Sequence, residues 1–390
     1  MKLISKELFI EHQERRPVVT GFITYVSTKR PVLMHCWGWE DYSDGYDDYS
    51  LSLSEDNGKT WSAPQLFLKS RVTPQGKIRY AEPVAFFDED TGKVLLWVYN
   101  ALYPGDDHSD VDGILRTFFD TYDPETRQWE GLRPLGVSPE RSLGVSFGFA
   151  IKTSRGRIMV PAMRQLLGPD GRVVHYKDYL EAVYEPLTII GEYDAGGGLT
   201  WKLGKPAAVD PELSSRGLCE NALAELADGR IAMIMRGDNS QFPEKPGWKW
   251  LSFSQDDGLT WSDPAPLPFV GGEPMESGGS GCAMFRSIKN GKLYWMGNLS
   301  LHGERARGNY PRTALVIAEM QEQPFALKRD TIFVVDEKGY NDSPDLQLSN
   351  FRFYQDRETC DLVVLMLRYC AQGRDLWWKS DYYRYRVQMP

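Results

Sequence analysis

Ser54-Glu55-Asp56-Asn57-Gly58-Lys59-Thr60-Trp61 returns along the chain as Ser254-Gln255-Asp256-Asp257-Gly258-Leu259-Thr260-Trp261, and more loosely as Asp194-Ala195-Gly196-Gly197-Gly198-Leu199-Thr200-Trp201. One copy would be a turn. Recurrence of S-x-D-x-G-x-T-W makes it a repeat, and a repeat decides the architecture before any other pattern does. The chemistry of the octapeptide is local. Short Ser and Asp side chains bond backbone groups a few residues on. Gly supplies a positive φ that a Cβ would penalise. Thr then opens a strand, and Trp covers the hairpin as an apolar lid. These residues staple a β-hairpin and carry out no reaction.

The octapeptide resembles the Asp-box, or BNR repeat, of the sialidase superfamily. That resemblance implies an all-β fold, a six-bladed β-propeller of four-stranded antiparallel blades, with each box between the outer two strands of a blade and away from the active site. The chain can be phased on it. Blades are expected at Arg15 to about Lys69, Arg79 to about Pro134, Gly144 to about Lys205, Gly217 to about Leu267, Gly278 to about Lys328, and Gln347 to the end. Asp123-Pro124-Glu125-Thr126-Arg127-Gln128-Trp129 reads as a worn box in the second. Hairpin glycines at 92, 156, 229 and 291 are 64, 73 and 62 residues apart, and a unit of roughly 65 residues fits six times, within the usual four to eight blades. Residues 3–10 read as a strand with no sequential partner, expected to close the last blade. The whole chain, 1–390, is read as a single propeller domain. Segments 166–178 and 238–250 are insertions, expected at the rim.

Composition narrows the partners. The formal charge is -9, with a pI near 5.3, which argues against nucleic acid or an anionic membrane surface. Aromatic residues make up 13% of the chain; they suit strands and also sugar-binding surfaces. The five cysteines have no CxxC spacing and read as reduced thiols of a cytoplasmic protein. The N-terminus lacks the apolar core of a signal peptide, and no run is long enough to span a membrane. No spacing suggests a metal site, and no cofactor is expected.

Arginines gathered in an acidic chain are the informative feature, because a guanidinium recognises a carboxylate with two parallel hydrogen bonds. The family clamps the carboxylate of sialic acid with three arginines. Arg16, before Pro17, resembles the first. Cys219-Glu220-Asn221 through Asp228-Gly229-Arg230 to Arg236 resembles the segment that supplies the second arginine, Arg236, and a buried carboxylate, Glu220. Arg312, in Tyr310-Pro311-Arg312, resembles the third. Arg164, Glu82, His35 and Arg352 fall at other positions facing the axis and are further substrate-binding candidates; Ser146 is placed near the axis as well. The family's acid/base Asp implies Asp47 or Asp48, in the loop 39–48, with Asp44 as runner-up. The family's nucleophilic Tyr has no match: the corresponding segment reads Leu348-Ser349-Asn350-Phe351-Arg352-Phe353-Tyr354, leaving Tyr354 or Tyr340 as substitutes.

Three functions fit these residues. One is an exo-glycosidase that releases a terminal acidic sugar, sialic acid or uronate-like. Another is a lyase on a uronate-containing glycan, with His35, His302 or Tyr80 as base. The third is a carbohydrate-binding propeller without turnover.

Overall fold

The computed structural model describes residues 1–105, 114–137, 142–145 and 147–390. It is almost wholly β, and its six antiparallel sheets are the blades of a six-bladed β-propeller. The chain forms two compact units: Met1–Pro134 with Ser287–Asn290 and Lys338–Pro390, and Leu135–Arg286 with Gly291–Glu337.

The first unit holds blades one, two and six. Blade one is Val18–Tyr25, Leu33–Glu40, Tyr46–Ser54 and Gln65–Leu68. In blade six, strands Phe351–Gln355, Leu362–Leu367 and Tyr382–Gln388 are completed by the chain's first strand, Lys2–Ile10, which pairs with Tyr382–Gln388. The N-terminal strand therefore closes the last blade, as expected. Blade two is longer than the sequence spacing predicts, because Arg71–Thr73 joins its inner edge. The second unit holds blades three, four and five; blade five gains an added strand, Phe333–Glu337.

The second strands of blades four, five and six are continuous buried runs rather than alternating ones. Ile231–Arg236, Leu293–Asn298 and Leu362–Leu367 are buried throughout. Such a run marks a sheet covered on both faces. In the second unit, Ala232, Ile234 and Leu251 of blade four pack on Met284, Trp295 and Val316 of blade five. In the first, Val19, Met34 and Cys36 of blade one pack on Val94, Leu96 and Val98 of blade two. Each fully buried aliphatic side chain contributes about 1.5–3 kcal/mol. Among the described residues no helix is long and apolar enough to cross a membrane. Cys36, Cys219, Cys282 and Cys370 are buried free thiols, and Cys360 is half-buried.

The two strict octapeptides fold almost identically. In the first, Ser54 Oγ donates to Asp56 Oδ1 at 2.8 Å and accepts from Gly58 N at 2.8 Å, while Thr60 donates to Asp56 from N at 2.8 Å and from Oγ1 at 2.6 Å. The same four distances recur at Ser254, Asp256, Gly258 and Thr260. Gly58, Gly197 and Gly258 all have φ of 81°. The residue before the glycine does further work. Asn57 donates to Asp356 Oδ1 of blade six at 2.9 Å and accepts from Tyr25 OH at 2.6 Å. Its counterpart Asp257, 1% exposed, pairs with Arg155 and Arg157 of blade three. Each box thus fastens its own hairpin and ties its blade to the preceding one.

Asn57→Ala removes two buried hydrogen bonds at a positive φ and is expected to cost about 2–4 kcal/mol of unfolding free energy in a denaturant titration. A loss below about 0.5 kcal/mol, the scale of an ordinary surface substitution, would contradict the inter-blade role.

Candidate functional site

In the second unit the site begins with a break in register. Cys219 pairs with Arg236 and Ala222 with Ile234, so the innermost strand of blade four carries an extra residue against the next. Glu220 occupies this bulge at φ 44°. A bulge re-aims a side chain, and here the Glu220 carboxylate meets the guanidinium of Arg236, the last residue of the adjoining strand. Arg236 Nη1 donates to Glu220 Oε1, Nη2 donates to Asn309 Oδ1 at 2.7 Å, and the buried Nε has no partner among the described residues. Arg236 is 6% exposed. Burial alone would raise the Glu220 carboxyl. Arg236, then Arg312, Arg216 and Lys249, outweigh it and hold the group below the usual carboxylate range, so it is ionised at neutral pH.

Arg312 lies two residues before the third strand of blade five, which begins at Ala314. Arg312 is half-buried and donates from Nε to the Gly279 carbonyl at 2.9 Å, and from Nη2 to the same oxygen. Asn239 steadies the loop that carries Asn309: its Nδ2 reaches Lys245 O at 2.7 Å and Ala306 O at 2.8 Å, and its Oδ1 accepts from Gly308 N at 2.7 Å. Sequence reading misses Asn239, which lies in the 238–250 insertion among other polar residues and has no distinguishing spacing. The two insertions meet, with the rings of Tyr176 and Phe242 5.6 Å apart.

The first unit holds a different cluster. Asp47 lies 3.2 Å from Arg16, 3.2 Å from Lys77 and 3.9 Å from Arg79. Asp41 lies 3.7 Å, 3.2 Å and 3.0 Å from the same three cations. Burial pushes the Asp41 carboxyl up, but Arg79 and Lys77 outweigh it and hold it low. Arg79, 1% exposed, also donates to the carbonyls of Tyr46 and Gly45, anchoring the acidic loop to blade two. Lys77 is a residue that sequence reading misses. Asp48 is occupied elsewhere, accepting from Ser70 N at 2.7 Å. Glu82 occupies a second bulge, at φ 48°, with Ala81 facing Tyr99 and Val84 facing Trp97. Its charge acts on Arg352, which is 3% exposed and donates to the Gly21 and Phe351 carbonyls.

Two expected positions lie in the core, and a third is paired on its own sheet. His35 is 2% exposed, stacked on Tyr382 at 6.1 Å with Trp61 and Phe9 each 5.6 Å away. Burial pushes its imidazole down to about 3, so it is a neutral core histidine. Tyr354 is 7% exposed, edge-on to Tyr25 at 5.9 Å and beside Gly58 of the box; burial pushes its phenol up. Arg164 is paired at 2.7 Å with Glu185, directly opposite it on the next strand. Leu348 and Phe351, at the position where the resemblance implies a tyrosine, are fully buried apolar residues, and Tyr340 is fully exposed. Ser146 lies outside the described residues. Among the described residues no three His, Cys, Asp or Glu side chains gather as metal ligands.

Glu40, at the start of the acidic loop, is 4% exposed and accepts from Asp44 N at 2.7 Å. Burial first, and then the charge of Asp44, push its carboxyl up to about 8. The unfolded chain therefore releases this proton first, and the folded state loses stability as pH rises from about 4.5 to about 8. Glu40→Gln mimics the protonated form. Its Tm advantage over the parent is expected to grow steadily between those pH values in thermal melts; an advantage independent of pH would contradict the buried neutral carboxyl.

The family model described as a BNR repeat-like domain matches residues 39–338. No curated protein matches the chain in sequence. Among solved structures, a protein of unknown function from Dyadobacter fermentans aligns with a TM-score of 0.66 at 15% identity, covering 100% of this chain and 99% of that one. The NanB sialidase of Streptococcus pneumoniae aligns with a TM-score of 0.64 at 13% identity, covering 98% and 70%. The intramolecular trans-sialidase of Ruminococcus gnavus, in complex with oseltamivir carboxylate, aligns with a TM-score of 0.61 at 14% identity, covering 100% of both chains. At these identities the likeness is one of fold. The chain belongs to the BNR repeat-like domain family, as a divergent six-bladed propeller whose structural neighbours include sialidases.

Proposed function

We propose that this protein is a sialidase-like, glycan-active protein that recognises the carboxylate of a terminal sugar through Arg312 and Arg236, and releases that sugar as an exo-glycosidase. The observation that carries this reading is the arrangement around Arg236. A nearly sealed guanidinium is fixed by Glu220 and Asn309, next to a half-exposed Arg312 fixed by a backbone carbonyl. Fixed cations of this kind, in a chain of net charge -9, suit a small anion rather than a polyanion. The ionised Glu220 suits stabilisation of positive charge developing on a sugar ring. Asp47 pairs with both Arg16 and Lys77 in the first unit, and no part in the reaction is assigned to Arg16 or Asp47. Tyr354 has no place in it, being core.

The fully buried Leu348 and Phe351 favour a second reading, binding without turnover, because a tyrosine nucleophile has no counterpart at either position. Mass and ultraviolet readouts on a panel of sialylated and uronate-containing oligosaccharides separate the cases. Release of a saturated acidic sugar is expected. An unsaturated, ultraviolet-absorbing product would instead mean a lyase, and binding with no product would mean a lectin-like propeller. Arg236→Ala is expected to weaken the acidic sugar by about 2–5 kcal/mol in calorimetry; unchanged affinity would contradict the assignment.

A further inference from the structure

Lys249 lies on the third strand of blade four, directly opposite Arg236 in the register. It is fully buried, which is unusual for lysine, and no carboxylate forms an ion pair with it among the described residues. Instead its ammonium donates to the carbonyl of Ser280, to the carbonyl of Gly278 at 3.3 Å and to Ser280 Oγ at 3.3 Å. The carbonyl between those two, that of Gly279, is the one that receives Arg312. Three successive carbonyls are therefore held by two cations, one sealed and one half-exposed. The segment leaves little slack elsewhere: a Cβ on Gly278 would stand 2.7 Å from Pro311 O, and one on Gly281 would stand 2.5 Å from the Phe147 ring.

We propose that Lys249 is a positioning residue of this site, fixing the Gly278 and Ser280 carbonyls so that the Gly279 carbonyl aims Arg312 at the sugar carboxylate. This rests on the acidic-sugar reading above. The charged and titratable groups that face Lys249 are Cys282, Arg236, Glu220 and Arg312. The two arginines keep their charge at any working pH, Glu220 is held low, and burial pushes the Cys282 thiol up. Lys249 is the group among these that changes charge near neutrality, burial pushing its ammonium down to about 8. Once neutral, it no longer holds the two carbonyls with a charge-assisted bond, and Arg312 loses its fixed support.

The linked effect on stability has the opposite sign. The folded-state value lies below that of the unfolded chain, 10.5, so the unfolded chain binds more protons between about 8 and 10.5, and stability rises with pH there. Weaker sugar binding at alkaline pH therefore cannot be ascribed to unfolding driven by Lys249.

The experiment is calorimetric titration of the full chain with N-acetylneuraminic acid, and with glucuronic acid, at about pH 7 and about pH 9, for the parent, Arg312→Ala and Lys249→Met. The parent is expected to bind about fivefold or more weakly at the higher pH. Arg312→Ala should bind weakly at both, with no further loss. Lys249→Met should bind at both as the parent does at the higher pH. If Lys249→Met does not fold, the comparison of the parent with Arg312→Ala decides alone. A parent affinity unchanged between the two pH values, or the same pH dependence in a weakened Arg312→Ala, would overturn the role of Lys249 and leave the sugar reading standing. Failure of the parent to bind either sugar, or full affinity in Arg312→Ala, would overturn the sugar reading and this inference with it.

Discussion

The carboxylate of Glu220 reaches Arg236 because the innermost strand of blade four carries one residue too many. In regular pairing, Glu220 would follow the alternation of the strand. At φ 44° it leaves the pleat, and the buried cation opposite receives it. The remaining features of the cluster follow from that contact. Arg236 needs a second acceptor, which Asn309 supplies; Asn309 needs a fixed loop, which Asn239 supplies. A positive φ at a non-glycine residue costs about 1–3 kcal/mol, whereas removing one partner of a buried ion pair costs about 3–5 kcal/mol. With Arg236 already buried, relaxing the bulge and withdrawing Glu220 would leave an uncompensated charge, which is the costlier alternative to the strained φ.

The same device occurs in the first unit, where Glu82 sits in a bulge of blade two with a nearly identical φ and acts on the buried Arg352. A third bulge, without a carboxylate, places Gly21 in the innermost strand of blade one, and there the backbone carbonyl itself accepts from Arg352. The innermost strands of blades one, two and four thus each carry one extra residue against the next strand and vary the group displayed there. The stapling octapeptides do the reverse. They keep the same hydrogen bonds at Ser54 and Ser254 and change the residue that ties each box to the previous blade, Asn57 in one and Asp257 in the other.

Much of the fold was legible in the sequence because its determinants are local. A turn that needs Ser, Asp, Gly and Thr at fixed offsets shows itself in eight residues, and its repetition phases the blades. The apolar run Ile231–Met235 is covered on both faces, a fact its burial makes plain. The link of Glu220 to Arg236 was legible for a related reason, since the two belong to adjacent strands of one hairpin. Partners set by long-range packing were not. His35 looks like a candidate base until Phe9, Trp61 and Tyr382, from distant parts of the chain, close around it. Arg16 looks like a free clamp until Asp41 and Asp47 meet it, and Lys77 and Asn239 carry no local mark at all. Register also matters at the scale of one or two residues: Arg352 faces blade one while Tyr354 lies at the box end of the same short strand.

The most direct test of the central claim, that fixed arginines in this fold recognise a sugar carboxylate, is the affinity of the protein for N-acetylneuraminic acid compared with that of its methyl ester at neutral pH. The ester keeps the ring and hydroxyl groups and removes only the charge. Binding of the acid about 30-fold or more tightly than the ester, equivalent to about 2 kcal/mol, is the predicted result. Equal affinity for the two would show that Arg236 and Arg312 are structural cations, and that any sugar is held by other means.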